Sequence, residues 1–250
     1  MLSAYVVGSV RPRRLLALTL LSLVALAGVS SPSSAQTAST PDLGDAPDSN
    51  NSFGAVMTTP PVVAKFPTYY VAGLAPTGPR HNNAPALYFF GTAITAENQA
   101  DALPDADGVP NIQPTTNVAN SDRADDGIVW PLFGTCQQIR VQYTVRVVGA
   151  GPYTAYFNAW ADWNSNGVWG DRPTCNGTTV ADEWLVQNQA LTLPGPGSYT
   201  FTTPAFFPIG PTGRPQWARI TISESRATQP TGAGPGSGWR LGETEDYILR

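Results

Sequence analysis

The chain is poor in the residues on which most nucleophilic and transition-metal chemistry depends. Its 250 residues hold one histidine, His81, one lysine, Lys65, and two cysteines, Cys136 and Cys175. A single histidine excludes a His-rich zinc site and leaves little from which to assemble Ser-His or Cys-His catalysis. Acidic residues outnumber basic ones 18 to 14 with no basic cluster, so no nucleic-acid partner is expected and an oppositely charged ligand would be a cation. Amphipathic helical periodicity is missing as well, which leaves strands as the building elements. Glycine and proline, 24 each, stay below the level that marks disorder, and 42% hydrophobic residues suffice for a core.

The one long apolar run, Leu15 to Val29, follows Arg11, Arg13 and Arg14 and precedes Ser33-Ser34-Ala35, a small-x-small cleavage pattern. Residues 1–35 therefore read as a signal peptide for export by the general or the twin-arginine route. The run is short for a membrane span, so no membrane insertion of the mature chain is expected. Removing these three arginines takes the formal charge from −4 to −7. In an oxidising compartment Cys136 and Cys175 are expected to pair, and a loop of about 40 residues closed this way gains roughly 4 kcal/mol in the chain-entropy account. The chain ends at Arg250 without an apolar tail, which predicts a protein released or held by partners rather than wall-anchored by itself.

Two regions follow the signal. Residues 36–134 are loop-rich and acidic, with apolar pieces at Phe66–Val71 and Leu87–Phe90. Residues 135–250 alternate as strands do: Ile139, Val141, Tyr143, Val145 and Val147 point one way and their neighbours the other. In Tyr153–Trp163, Phe157, Ala159, Ala161 and Trp163 share one face while Asn158, Trp160 and Asp162 share the opposite one. Further strands are predicted at Glu183–Gln187, Ser198–Thr202, Gln216–Ser223 and Glu243–Leu249, divided by Pro/Gly turns. The expected fold is all-β, a sandwich of immunoglobulin-like or jelly-roll-like type with a long loop-rich N-terminal region.

Asp162-Trp163-Asn164-Ser165-Asn166-Gly167 puts oxygen-bearing side chains at alternate positions before a glycine, the opening of a calcium loop. The twelfth position is Pro173 where the helical calcium loop has glutamate, so the closing carboxylate must be Asp171 or Glu183; Val168 would contribute its carbonyl. Asn166-Gly167 also suits a plain hairpin turn. A possible second metal set comprises Asp105, Asp107, Asp122, Asp125, Asp126, Glu243 and Glu245. Glu243, Glu245 and Tyr247 share a strand face, where two carboxylates repel unless a cation or an arginine sits between them.

These motifs resemble the GEVED domain of secreted and surface-exposed bacterial proteins. Asp42-Leu43-Gly44-Asp45-Ala46-Pro47-Asp48-Ser49 is similar to the leader that often precedes such domains, and Asp122-Arg123-Ala124-Asp125-Asp126-Gly127-Ile128 to the acidic stretch that closes it. Asn158 to Trp169 is similar to the family's Asn-Ala-Trp core with its Asp/Asn loop, and Gly242-Glu243-Thr244-Glu245-Asp246-Tyr247 matches the naming motif with Thr for Val. The segment Arg172–Val180 stands as an insertion before Asp182-Glu183. The resemblance implies a β-sandwich of extracellular or cell-surface proteins and no enzymatic activity.

The leading expectation is a secreted, calcium-stabilised structural or adhesive module whose partner is a surface protein or a glycan. A carbohydrate-binding module is the alternative, since seven tryptophans are many for this length and Trp160 and Trp217 lie opposite the more apolar faces of their strands. A glycoside hydrolase using Asp182/Glu183 with Glu243/Glu245 is the third.

Overall fold

The computed structural model describes residues 41–51, 58–59, 62–94 and 125–249. The expected signal peptide and Asp105, Asp107 and Asp122 lie outside the described residues. The described chain is built from strands alone. In chain order they are β1 (Thr58–Thr59), β2 (Val62–Val63), β3 (Tyr88–Phe90), β4 (Gln142–Val147), β5 (Tyr153–Ala161), β6 (Thr174–Cys175), β7 (Thr179–Val180), β8 (Trp184–Leu193), β9 (Gly197–Thr202), β10 (Gln216–Ser223) and β11 (Gly242–Leu249). A four-stranded sheet has the order β11-β10-β5-β8 and a three-stranded sheet the order β3-β4-β9, every pairing antiparallel. This is an all-β sandwich.

The alternation read from the sequence decides which side chains meet between the sheets. Phe157, Ala159 and Ala161 of β5 join Ala218, Ile220 and Ile222 of β10, with Tyr143, Val145 and Val147 of β4 opposite them. Tyr143 stacks on Phe157 with ring centroids 3.8 Å apart. The other face of the four-stranded sheet is also dry. Trp160, Trp217, Trp169 and Trp239 form a second cluster there, covered by Ala46, Ala64 and Phe66 from the N-terminal region. With both faces covered, all eight residues of β10 are buried.

The N-terminal region thus acts as the outer layer of the sheet, and it also donates β3 to the three-stranded sheet. The leader is held by polar contacts rather than by periodic strands. Asp42 exchanges backbone bonds with His81 (3.0 and 2.9 Å), and buried Asp48 accepts from Thr68 N (2.8 Å) and Tyr69 N (3.1 Å).

Two features of the large sheet depart from simple alternation. The β5/β8 ladder shifts register around Asn158, whose Oδ1 accepts from Asn188 N (2.8 Å) and Trp184 Nε1 (3.1 Å), replacing the ladder bonds lost at the bulge. The expected insertion, Arg172–Val180, is a small hairpin, β6 and β7, turning through Asn176 (φ +52°) and Gly177 (φ +73°). Cys175 within it is bonded to Cys136, so the predicted disulfide is present and anchors the hairpin to the body.

Candidate metal centre

β5 delivers Asp162 to the end of the large sheet. The sheet ladder is extended by one bond, Asp162 N to Trp217 O at 2.8 Å, after which the chain turns through Ser165 (φ +55°) and Gly167 (φ +86°). Glycine is required at 167 twice over: the φ lies in the left-handed region, and a Cβ would stand 2.7 Å from the Val63 carbonyl oxygen. No hairpin pairs Trp163 with Val168-Trp169. Instead the loop closes on its own first residue, with Asp162 Oδ1 accepting from Asn166 N (3.0 Å) and Oδ2 from Gly167 N (2.9 Å).

Both residues named from sequence as possible closing carboxylates reach the loop. Glu183 Oε2 accepts from Asp171 N at 2.9 Å, and Glu183 N donates to the Asp171 carbonyl at 3.1 Å. The hairpin therefore bulges out between two residues that remain adjacent, and the insertion does not carry Glu183 away. Asn164 Nδ2 and Asn166 Nδ2 both donate to Asp171 Oδ2, at 3.0 and 2.6 Å, and Asn166 Oδ1 accepts from Val168 N at 3.1 Å. Asp162 and Glu183 form the buried floor, while Asn164, Asn166 and Asp171 form an exposed rim. Burial pushes the Glu183 carboxyl up to about 8, with the charges of Asp162 and Asp171 adding to the rise. Burial likewise raises Asp162 to about 6, against three backbone N–H bonds that favour its ionised form. Among the described residues no three Asp, Glu, His or Cys side chains converge on one point, because the floor carboxylates are turned to backbone N–H groups.

The second acidic set divides. Glu243 and Glu245 do lie on one face of β11, both buried, and they cap backbone donors at the sandwich edge. Glu243 Oε2 accepts from Phe90 N of β3 at 2.5 Å, and Glu245 Oε1 accepts from Asp126 N (3.2 Å) and Gly127 N (3.1 Å). Tyr247 donates its hydroxyl proton to Glu245 Oε2 at 2.5 Å. Burial raises both carboxyls, Glu245 to about 8, and in Glu243 the charge of Glu245 adds to the effect. The Asp126 side chain instead accepts from Thr92 N at 2.9 Å, and Asp125 is half-buried beside it.

The opposite face of β11 holds what sequence reasoning missed. Asp246 and Arg219 of β10 form a fully buried pair, with Nη2 2.6 Å from Oδ2 and Nε 2.7 Å from Oδ1. Asp246 Oδ2 also accepts from Asp45 N and Ala46 N, each at 2.8 Å, and Asp42 Oδ2 accepts from Thr244 N at 2.7 Å. Thr244 in turn meets His81 Nε2 at 2.9 Å; the Leu241 carbonyl, 3.0 Å from Nδ1, can only accept, so the ring proton sits on Nδ1. Burial drives His81 down to about 3, which keeps it neutral. A lone arginine amid the apolar strand Gln216–Ser223 was the available signal, since a buried guanidinium needs an acid facing it.

Gly242 sets this strand in place. Its φ is +114°, and a Cβ would lie 1.7 Å from the Ile222 carbonyl oxygen. The order glycine, edge-capping glutamate, leader-bound threonine, second capping glutamate, arginine-paired aspartate gives each position of the motif a distinct contact. Residues 156–250 match the GEVED domain. The matched segment starts within β5 and takes in the Asp162 loop, β8, β9, β10 and β11, so within the GEVED match lie both the candidate metal centre and the motif strand. No curated protein matches the chain.

The remaining sequence candidates fall outside any open site. Trp160 and Trp217, considered for glycan binding, are 0% and 1% exposed, because the leader covers the face that a bare sheet would present. Asp182 is paired at the surface with Arg172, while Glu183, Glu243 and Glu245 are buried on backbone donors. Among the described residues no helix is long and apolar enough to cross a membrane.

Proposed function

We propose that this protein is an exported structural or adhesive module without catalytic activity, whose GEVED domain is braced by calcium at the Asp162 loop. The observation that supports the reading is that Asp162, Asn164, Asn166, Asp171 and Glu183, all with oxygen-bearing side chains, are linked by hydrogen bonds around one loop, where the charges of Asp162 and Asp171 add to the raised value of Glu183. Hard oxygen donors of this kind suit Ca²⁺, and the exposed rim gives an ion access. Asp162, Asn164, Asn166, Asp171, Glu183 and the Val168 carbonyl would hold it. The cation would tie the end of β5 to the start of β8 and, through Gly167 and Lys65, to the leader. Export by residues 1–35 and a surface protein or glycan as partner complete the proposal.

Extracellular modules bind calcium with dissociation constants on the order of 10⁻⁴ to 10⁻³ M, and a hundredfold excess of ligand stabilises by about 2.7 kcal/mol. For a chain of this size that corresponds to a melting temperature roughly 5–10 °C higher in calcium than in chelator. Calorimetric melting of the purified chain in both conditions measures it. Glu183→Gln and Asp162→Asn should abolish the increment, and an increment absent from the unsubstituted protein would refute calcium bracing.

A further inference from the structure

The sequence contains the dipeptide Asn-Gly twice, at Asn166-Gly167 and Asn176-Gly177, and the fold places the two copies in opposite surroundings. In such a pair the backbone nitrogen of glycine can attack the side-chain Cγ of asparagine, since no Cβ on the following residue hinders the approach. The new C–N bond closes a five-membered imide; the amide nitrogen leaves as ammonia, carrying the proton from the glycine nitrogen. Water then opens the imide at either carbonyl, giving aspartate or isoaspartate. The net change is amide plus water to acid plus ammonia, with no oxidant required.

At Asn166 every group in that reaction is held. The Gly167 N–H donates to buried Asp162 Oδ2 at 2.9 Å, and the Asn166 amide is fixed at both ends, by Val168 N at 3.1 Å and Asp171 Oδ2 at 2.6 Å. Gly167 is itself buried, packed against Val63 and Ala64, and its carbonyl accepts from Lys65 N at 2.7 Å. Bringing Cγ onto the nitrogen would break these bonds together and move the backbone against the leader. At Asn176 both residues are exposed at the tip of the β6/β7 hairpin, and nothing stands within 4 Å of a Cβ placed on Gly177. The turn is closed by Thr178 N to the Cys175 carbonyl at 3.3 Å, a single long bond at the end of two-residue strands.

We propose that Asn176 is a site of spontaneous deamidation in the folded protein and that Asn166 is its shielded twin. Conversion adds a carboxylate to the hairpin tip, and the isoaspartate product also adds a backbone carbon to the turn beside the disulfide. An exported protein that is not renewed would accumulate this change with age.

The test is incubation of the purified chain at mildly alkaline pH, in chelator so that the outcome is independent of any bound cation, followed by peptide mass mapping. Unstructured peptides covering each dipeptide, and the same protein in denaturant, supply the unprotected rates. Folded Asn176 should gain one mass unit at a rate close to that of its peptide, while folded Asn166 should lag its own peptide by tenfold or more, on the order of what loss of several hydrogen bonds implies. In denaturant the two should convert at their peptide rates, and Asn176→Gln should remove the early mass gain. Equal protection of both sites in the folded protein would overturn the proposal. Faster conversion at Asn166 would overturn it too, by showing that the Asp162 carboxylate draws the proton from Gly167 rather than locking it.

Discussion

The carboxyls of Glu183 and Asp162 give the candidate centre a pH signature. Both have folded values above their ordinary ones, about 8 against 4.5 for Glu183 and about 6 against 3.8 for Asp162. A raised folded value means that the native state holds a proton the unfolded state has already released. Their contribution to stability is therefore full below the ordinary carboxyl range and is lost as the pH rises through about 8. A bound cation favours the ionised forms and reverses that loss. The difference in melting temperature between calcium and chelator should thus be largest near pH 8 and shrink toward zero near about pH 5, measured as a series of paired melts. A difference independent of pH would place the calcium effect elsewhere in the molecule.

Among elements, β11 is the one whose sequence was easiest to find and hardest to interpret. Its alternation predicted a strand with Glu243, Glu245 and Tyr247 on one face, and the strand spans Gly242–Leu249. The purpose of that face was not legible, because the groups it caps, Phe90 N and Gly127 N, come from segments more than a hundred residues away. Alternation located β5, β9 and β10 to within two residues, since each buries one apolar stripe between the sheets. The β6/β7 hairpin carried no such stripe; its strands are two residues long, and its turn residues and disulfide shape it. At the candidate centre the oxygen-bearing residues and the alternatives Asp171 and Glu183 could be named from spacing, while the adjacency of Asp171 to Glu183 could not. The capping role predicts a contrast between two substitutions. Glu243→Gln keeps an acceptor for Phe90 N and replaces a carboxyl whose ionised form burial disfavours, so it should be neutral or stabilising; Glu243→Leu leaves that donor unsatisfied and should cost about 1–3 kcal/mol in chemical denaturation.

At the scale of the whole molecule, the leader and the GEVED match share one hydrophobic cluster, with Ala46, Ala64 and Phe66 lying over Trp160, Trp169 and Trp217. Removing residues 36–51 should take Ala46 off these rings and strip Asp246 of the Asp45 and Ala46 amides. The expected outcome is a red-shifted tryptophan emission, binding of a hydrophobic dye and a lowered melting temperature, whereas an unchanged protein would mean that the leader is dispensable decoration. The same contacts bear on how the chain comes to be folded at all. Asp45 N and Asp246 are 201 residues apart, and Asp42 and Thr244 are 202 apart. A fold that joins residues 42–46 to its last strand cannot complete those contacts while the ribosome still encloses that strand. Through nearly all of its synthesis the polypeptide lacks the partners of Asp42, Asp45 and Ala46, so the bonds that fasten the outer layer to β11 can form only after the last strand has emerged.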